Sequence, residues 1–182
     1  MAFRPIWTQI KRERQRFGRF GFRVFAWATW IPVVCMFNHY IGELAWIHGP
    51  SMYPFLNAEK DQTTRNDVVI NYKFNAQYGL RRGMIVTFWN PYDPEGMAVK
   101  RIIGLEGDIV RTRNPYPSPT IRVPMGHVWV EGDGGERFSV DSNDYGPIST
   151  NLIIGRVTHV VWPFHRAGKV RWWEFLGNIR DQ

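Results

Sequence analysis

A chain of 182 residues has room for one domain with an appendage. Its formal charge is +7, and nearly all of the excess falls before residue 24, where Arg4, Lys11, Arg12, Arg14, Arg16, Arg19 and Arg23 face Glu13 alone. The remainder is close to neutral, which argues against a nucleic-acid-binding face spread over the fold and leaves only a basic N-terminal arm as that alternative.

Residues 24–42 contain no Asp, Glu, Lys or Arg. As one helix they would reach ~28 Å at about 1.5 Å per residue, near the thickness of a bilayer's hydrocarbon core. Pro32, Asn38 and His39 are costly there. The flanks favour a span: cations crowd the N-terminal side, Glu43 opens the other, and Trp27, Trp30, Tyr40 and Trp46 suit the two interfaces. The expectation is one transmembrane helix, with a buried core helix as the alternative. The positive-inside bias puts the N-terminus in the matrix or cytosol and the folded part across the membrane. The arginine-rich, acid-poor beginning also fits a mitochondrial targeting segment. Cys35 is the only cysteine, so the domain folds without an intrachain disulfide.

Gly49-Pro50-Ser51-Met52-Tyr53-Pro54 follows as a stiff turn, its φ angles fixed by prolines on either side of the serine. Residues 57–66 are polar and read as a loop. Strands are expected at 67–73 and 83–89, with 90–96 as a turn into a third strand at 97–104. That strand places Lys100 on one face with Ala98 and Ile102, and Arg101 on the other with Val99 and Ile103. Residues 105–108 read as a tight hairpin connection returning as 109–112. The proline-rich stretch 113–120 reads as an exposed excursion, and 127–131 and 156–163 as further strands. Short strands with little helical periodicity predict a mainly antiparallel β domain. In 166–182 the aromatic residues Trp172, Trp173 and Phe175 cap the core or rest on a membrane or partner.

Serine is a weak nucleophile without a base. Most turn serines are only turn formers, and most strand lysines are solvated. Two adjacent cations on opposite faces of one strand nevertheless suggest that one is not simply solvated. Glycine-rich and Asn-Asp-Tyr-Gly segments at 132–135 and 143–146 are turn-forming in any case. The histidines at 39, 48, 127, 159 and 165 are scattered, without the spacing of a metal site, and no cofactor-binding pattern is present. His127 or His159 as base of a Ser–His–Asp triad is the rival mechanism.

The Gly49–Pro54 turn, the strand Met97-Ala98-Val99-Lys100-Arg101, the run from Leu105 to Val110 and Ser139-Val140-Asp141-Ser142-Asn143-Asp144-Tyr145-Gly146-Pro147-Ile148 stand in the order and spacing of one family. Together they make residues 49–157 resemble the type I signal peptidases, which are Ser–Lys proteases. The form of the last motif is most similar to the family's mitochondrial branch. The resemblance implies an antiparallel β-sheet catalytic domain of the signal peptidase type. It also implies Ser51 as nucleophile, Lys100 as base, Ser139 orienting the lysine and Asp141 supporting the site. An Arg that bacterial members carry two residues after that Asp is here Asn143. Gly132-Asp133 matches the family's Gly-Asp pair, but the usual Asn after it is Gly134. A side-chain oxyanion donor two residues before the nucleophile is excluded by Gly49, leaving the Ser51 N–H.

The expected organisation is a basic segment at 1–23, an anchor at 24–42, the catalytic domain at 43–165 and a C-terminal tail at 166–182. The implied function is removal of sorting or signal segments from precursors of intermembrane-space proteins, at the mitochondrial inner membrane with the catalytic domain facing that space. Implied partners are the precursors, the bilayer and a second, similar catalytic subunit. A non-catalytic, membrane-tethered β-module is the alternative from another class. A soluble self-cleaving regulator is disfavoured by the apolar run.

Overall fold

The computed structural model describes residues 23, 25–58, 66–135 and 138–175. The basic segment expected at 1–23 lies outside these apart from Arg23, as do most of the loop at 57–66 and the end of the tail. The chain divides into two units, Met1–His39 and Tyr40–Gln182.

In the first unit, helix α1 (Ile31–Tyr40) buries none of its residues. Pro32 sits in its first turn, where a missing N–H is tolerated, but it cannot donate to the helical turn at 25–28 before it. Among the described residues no helix is long and apolar enough to cross a membrane. The helix ends at Tyr40, and Gly42 is already in a strand, so the stretch drawn as an anchor to residue 42 gives its last residue to the sheet.

Ten strands follow among the described residues: β1 (Gly42–Trp46), β2 (Val68–Tyr72), β3 (Ile85–Asn90), β4 (Asp93–Gly104), β5 (Ile109–Arg111), β6 (Thr120–Arg122), β7 (His127–Glu131), β8 (Ile148–Ser149), β9 (Ile153–Trp162) and β10 (Gly168–Lys169). The main sheet runs β1-β2-β9-β3-β4-β7-β8, antiparallel throughout, with β10 beside β9. A four-residue helix α2 (Ser142–Tyr145) separates β7 from β8. The antiparallel β class read from the sequence is thus the observed one.

Successive strand residues face opposite ways, and both faces of β3 and β4 are covered. Ile85 joins one apolar cluster with Ile47, Met52, Leu56, Val69 and Val157. Val86 and Phe88 join another with Ile102, Val128, Val130 and Ile148. Each of these side chains contributes roughly 1.5–3 kcal/mol by leaving water. A third cluster sets Val110 and Val123 against Trp129.

Several boundaries differ from the sequence reading, each for a pairing reason. Residues 105–108 do turn, but β5 does not return along β4. The edge of β4 is taken by β7, with Gly104 opposite Trp129, so β5 pairs with β6 in a separate ribbon. Gly104 has no Cβ because Val110 crosses there, 2.4 Å from where one would lie. The turn drawn at 90–96 is shorter, since β4 already starts at Asp93 opposite Asn90. The excursion at 113–120 folds back: the Arg113 N–H donates to Asn143 and Tyr116 packs edge-on against Trp129. The tail begins inside the fold, with β10 paired to β9, Val170 buried and Trp172 against the first cluster.

Gly155 illustrates how tightly the sheet centre closes. A Cβ there would lie 2.0 Å from Asn71 Oδ1, which accepts the Thr87 hydroxyl at 2.9 Å. Gly155→Ala should therefore destabilise the domain by about 1–3 kcal/mol through overpacking. A thermal unfolding midpoint equal to wild type would contradict this packing.

Candidate active site

Ser51 opens a turn that hangs from apolar anchors, Ile47 on one side and Met52 and Leu56 on the other. Gly49 stands at φ +87°, with open space around its Cα, so the backbone angle alone demands glycine. The Ser51 carbonyl accepts the Gly134 N–H at 2.9 Å, tying the turn to the loop after β7. Gly132 in that loop allows a closer approach still. A Cβ on it would lie 2.5 Å from the Ser51 carbonyl oxygen and 2.1 Å from Ser139 Oγ. The Ser51 backbone and the Ser139 hydroxyl are therefore brought to one point.

Lys100 and Arg101 are both buried, at 4% and 3% exposure. Lys100 stands opposite Val86 in β3, on the face of Ala98 and Ile102 that packs on the second cluster. Among the described residues no group hydrogen-bonds or ion-pairs with its ammonium, the Ser51 and Ser139 hydroxyls included. Burial lowers its pKa below that of free lysine, while Asp141, Asp144 and Asp133 act through space in the opposite sense.

Arg101, on the other face, is fully engaged. Its Nε and Nη2 donate to the two oxygens of Asp133 at 2.8 and 2.5 Å, and Nη1 donates to the Gly83 carbonyl at 2.8 Å. Its guanidinium also lies 4.8 Å from the centre of the Phe55 ring. Because Asp133 lies between Gly132 and Gly134, this ion pair fixes the loop that touches Ser51.

Asp141 is the N-cap of α2 and forms a capping box with Asp144. Its carboxylate accepts from Ser139 Oγ at 3.0 Å, the Gly132 N–H at 3.1 Å and the Asn143 N–H and Nδ2 at 3.0 and 2.9 Å. Ser139 spends its proton on Asp141, so its oxygen lone pairs stay open to a donor. Asn143 occupies the position of the bacterial arginine and acts as a bridge. Its Nδ2 also donates to Glu131 Oε1 at 3.1 Å, and its Oδ1 accepts the Arg113 N–H at 2.7 Å. The guanidinium of Arg113 pairs with Glu131, so a cation reaches this network from a different part of the chain.

His127 Nδ1 is 2.8 Å from the Met125 carbonyl and His159 Nδ1 is 3.1 Å from the Thr158 hydroxyl. Neither is in hydrogen-bonding contact with the serine turn. Among the described residues no three His, Cys, Asp or Glu side chains group as metal ligands. Sequence reading missed Glu131, Arg113 and the buried pair Asn57 and Asp67, which are joined to their partners across the fold and carry no local pattern.

The depressed lysine pKa has a consequence for stability. The unfolded chain binds this proton more tightly than the folded one, so the buried ammonium destabilises the fold below its folded pKa. That penalty disappears as pH rises from the folded pKa towards 10.5. Lys100→Met should therefore unfold at a higher temperature than wild type at pH 7, with the gap narrowing toward pH 10. A variant less stable than wild type at pH 7 would contradict the burial of an unpaired charge.

The signal peptidase family, peptidase S26, matches residues 22–116. The chain is 42% identical over 142 residues to the mitochondrial inner membrane protease subunit 2 of Schizosaccharomyces pombe, covering 78% of this chain and 76% of that protein. It is 39% identical to the protein of that name from Saccharomyces cerevisiae, covering 77% and 79%. It is also 39% identical to the mitochondrial inner membrane protease subunit 1 of Homo sapiens, covering 75% and 79%. With a β domain of the expected class and the serine turn, lysine strand and last motif gathered around one loop, the chain belongs to the signal peptidase family and is a serine endopeptidase of the mitochondrial inner membrane protease kind.

Proposed function

We propose that the protein is a membrane-anchored endopeptidase that removes sorting or signal segments from precursors of intermembrane-space proteins, using Ser51 and Lys100. The observation that carries this reading is Lys100, buried and without a partner among the described residues, its pKa lowered by burial, on the strand whose next residue fixes the loop against Ser51.

The neutral amine of Lys100 takes the Ser51 hydroxyl proton as Oγ bonds to the scissile carbonyl carbon. The oxyanion accepts the Ser51 N–H. Collapse breaks the C–N bond, and the ammonium returns its proton to the leaving amine. Water then attacks the Ser51 ester with Lys100 again as base, and the proton goes back to Oγ as the acid product leaves. Ser139, its proton held by Asp141, is the acceptor we assign to the ammonium during turnover, aiming it at Ser51, although the two are not hydrogen-bonded in this structure. Family resemblance implies small substrate residues at the first and third positions before the cut.

The anchor lies within the apolar stretch 24–42, ending before Gly42. All round α1 the large apolar side chains are exposed, Ile31, Val34, Met36 and Phe37 among them, which suits lipid better than water. The relatives are named as subunits 1 and 2, which supports a second, similar catalytic subunit as partner. The location is the mitochondrial inner membrane with the catalytic domain on the intermembrane-space side, following the basic residues before the stretch.

Ser51→Ala should abolish precursor cleavage by purified protein free of wild-type enzyme. Lys100→Arg should lose at least the 10²- to 10⁴-fold that a general base typically supplies, because a guanidinium stays protonated. His127→Ala and His159→Ala should change turnover only severalfold. Near-normal turnover in Lys100→Arg, with loss in His127→Ala, would replace the dyad by a triad.

For the anchor, mitochondria extracted with alkaline carbonate should retain the protein in the membrane pellet. Its full release into the supernatant would show that 24–42 does not span.

A further inference from the structure

We propose that Asn57, Asp67 and Arg166 form a clamp that sets the position of the Ser51 turn, and that all three are positioning residues for the nucleophile. The proposal rests on the reading of Ser51 as nucleophile. The residues that flank the turn, Ile47 and Asn57, are joined at its base. Asn57 Nδ2 donates to the Ile47 carbonyl at 2.8 Å and to the Gly49 carbonyl at 3.1 Å, two residues before the serine. Asn57 and Asp67 exchange hydrogen bonds: the Asn57 N–H donates to Asp67 Oδ2 at 2.9 Å, and the Asp67 N–H donates to Asn57 Oδ1 at 2.7 Å. The Ile47 N–H donates to the Asp67 carbonyl at 2.9 Å.

Asn57 has φ +57°, a left-handed angle that asparagine tolerates better than most residues. It is 1% exposed and Asp67 3% exposed, so these bonds act away from water. Arg166 closes the clamp from the end of the 3-10 turn Phe164–Arg166. Its Nη1 donates to Asp67 Oδ2 at 2.9 Å and its Nη2 to the Phe55 carbonyl at 2.6 Å, four residues after Ser51. The fork thus holds the exit of the serine turn and the carboxylate that holds its base. Only a planar guanidinium spans both acceptors in this way.

Misplacing a reacting group by about 1 Å can cost 10²-fold in rate. Loosening the clamp moves Ser51 and leaves Lys100, on β4, where it is. Arg166→Lys, which keeps the charge and loses the fork, and Arg166→Met should be assayed on a signal-segment peptide in detergent, beside wild type and Ser51→Ala. Rates are referred to folded protein, measured by the amplitude of the thermal unfolding transition.

The expected result is a kcat lowered tenfold or more in Arg166→Met and less in Arg166→Lys. KM should change within about threefold, and the apparent pKa of the pH–rate profile should match wild type. A purely structural role would reduce the folded fraction and leave kcat per folded molecule unchanged, which overturns the proposal. A shift of the apparent pKa in the Arg166 variants also overturns it, since the residue would then act on the base. If Arg166→Met does not fold, Arg166→Lys decides by the same criteria. Cleavage surviving in Ser51→Ala would defeat the nucleophile reading itself, whereas an inert Ser51→Ala beside fully active Arg166 variants would defeat only the clamp.

Discussion

The rest of the structure depends on the burial of two adjacent cations in one strand. Because successive strand residues face opposite ways, Lys100 and Arg101 can both leave water only if both faces of β4 are covered. One apolar cluster, with Val86 and Ile102, lies on the Lys100 side, and another, with Ile85 and Leu56, lies on the Arg101 side. The two charges are then treated differently. Arg101 receives a bidentate carboxylate, a carbonyl and an aromatic face, and becomes a fixed post for the loop that meets Ser51. Among the described residues Lys100 receives no direct partner, only carboxylates acting through space. Guanidinium and ammonium suit these roles: the first keeps its proton at any working pH, and the second gives it up when desolvated.

Asn143, at the position where the resemblance places an arginine in bacterial members, links the carboxylates of this network. A neutral amide reaches two carboxylates at once, on Asp141 and Glu131, and offers its oxygen to the Arg113 backbone. The Arg113 side chain supplies the positive charge to Glu131, one step further from Asp141. Among the described residues the donors to Asp141 are neutral, the hydroxyl of Ser139 among them.

The strands that read clearly in the sequence are those with strong alternation or continuous apolar runs, β2, β3, β4, β7 and β9. Edge elements did not read. β6, β8 and β10 have two or three residues each, too few for a period to register, and β1 follows an apolar run that hides its start. The meeting of Ser51, Ser139 and Asp141 around Gly132 was legible as motifs in family order. The polar supports were not, because they are long-range. Asn57 and Asp67 bound a stretch that reads as a solvated loop, yet both are buried. Arg113 lies in a proline-rich excursion, and Arg166 begins what reads as a tail. Burial of such residues is decided by partners on other elements, which no local window contains.

Arg166 bonds to residues 99 and 111 positions earlier in the chain. At synthesis speeds of roughly 5–20 residues per second, those positions are made on the order of ten seconds apart. The serine turn therefore leaves the ribosome well before the side chain that closes it. Contacts of such separation also form late in folding, since the loop between them must close first. If Ser51 is the nucleophile and Arg166 clamps its turn, as proposed above, the reactive side chain is made early and gains its fixed place only once Arg166 has been delivered.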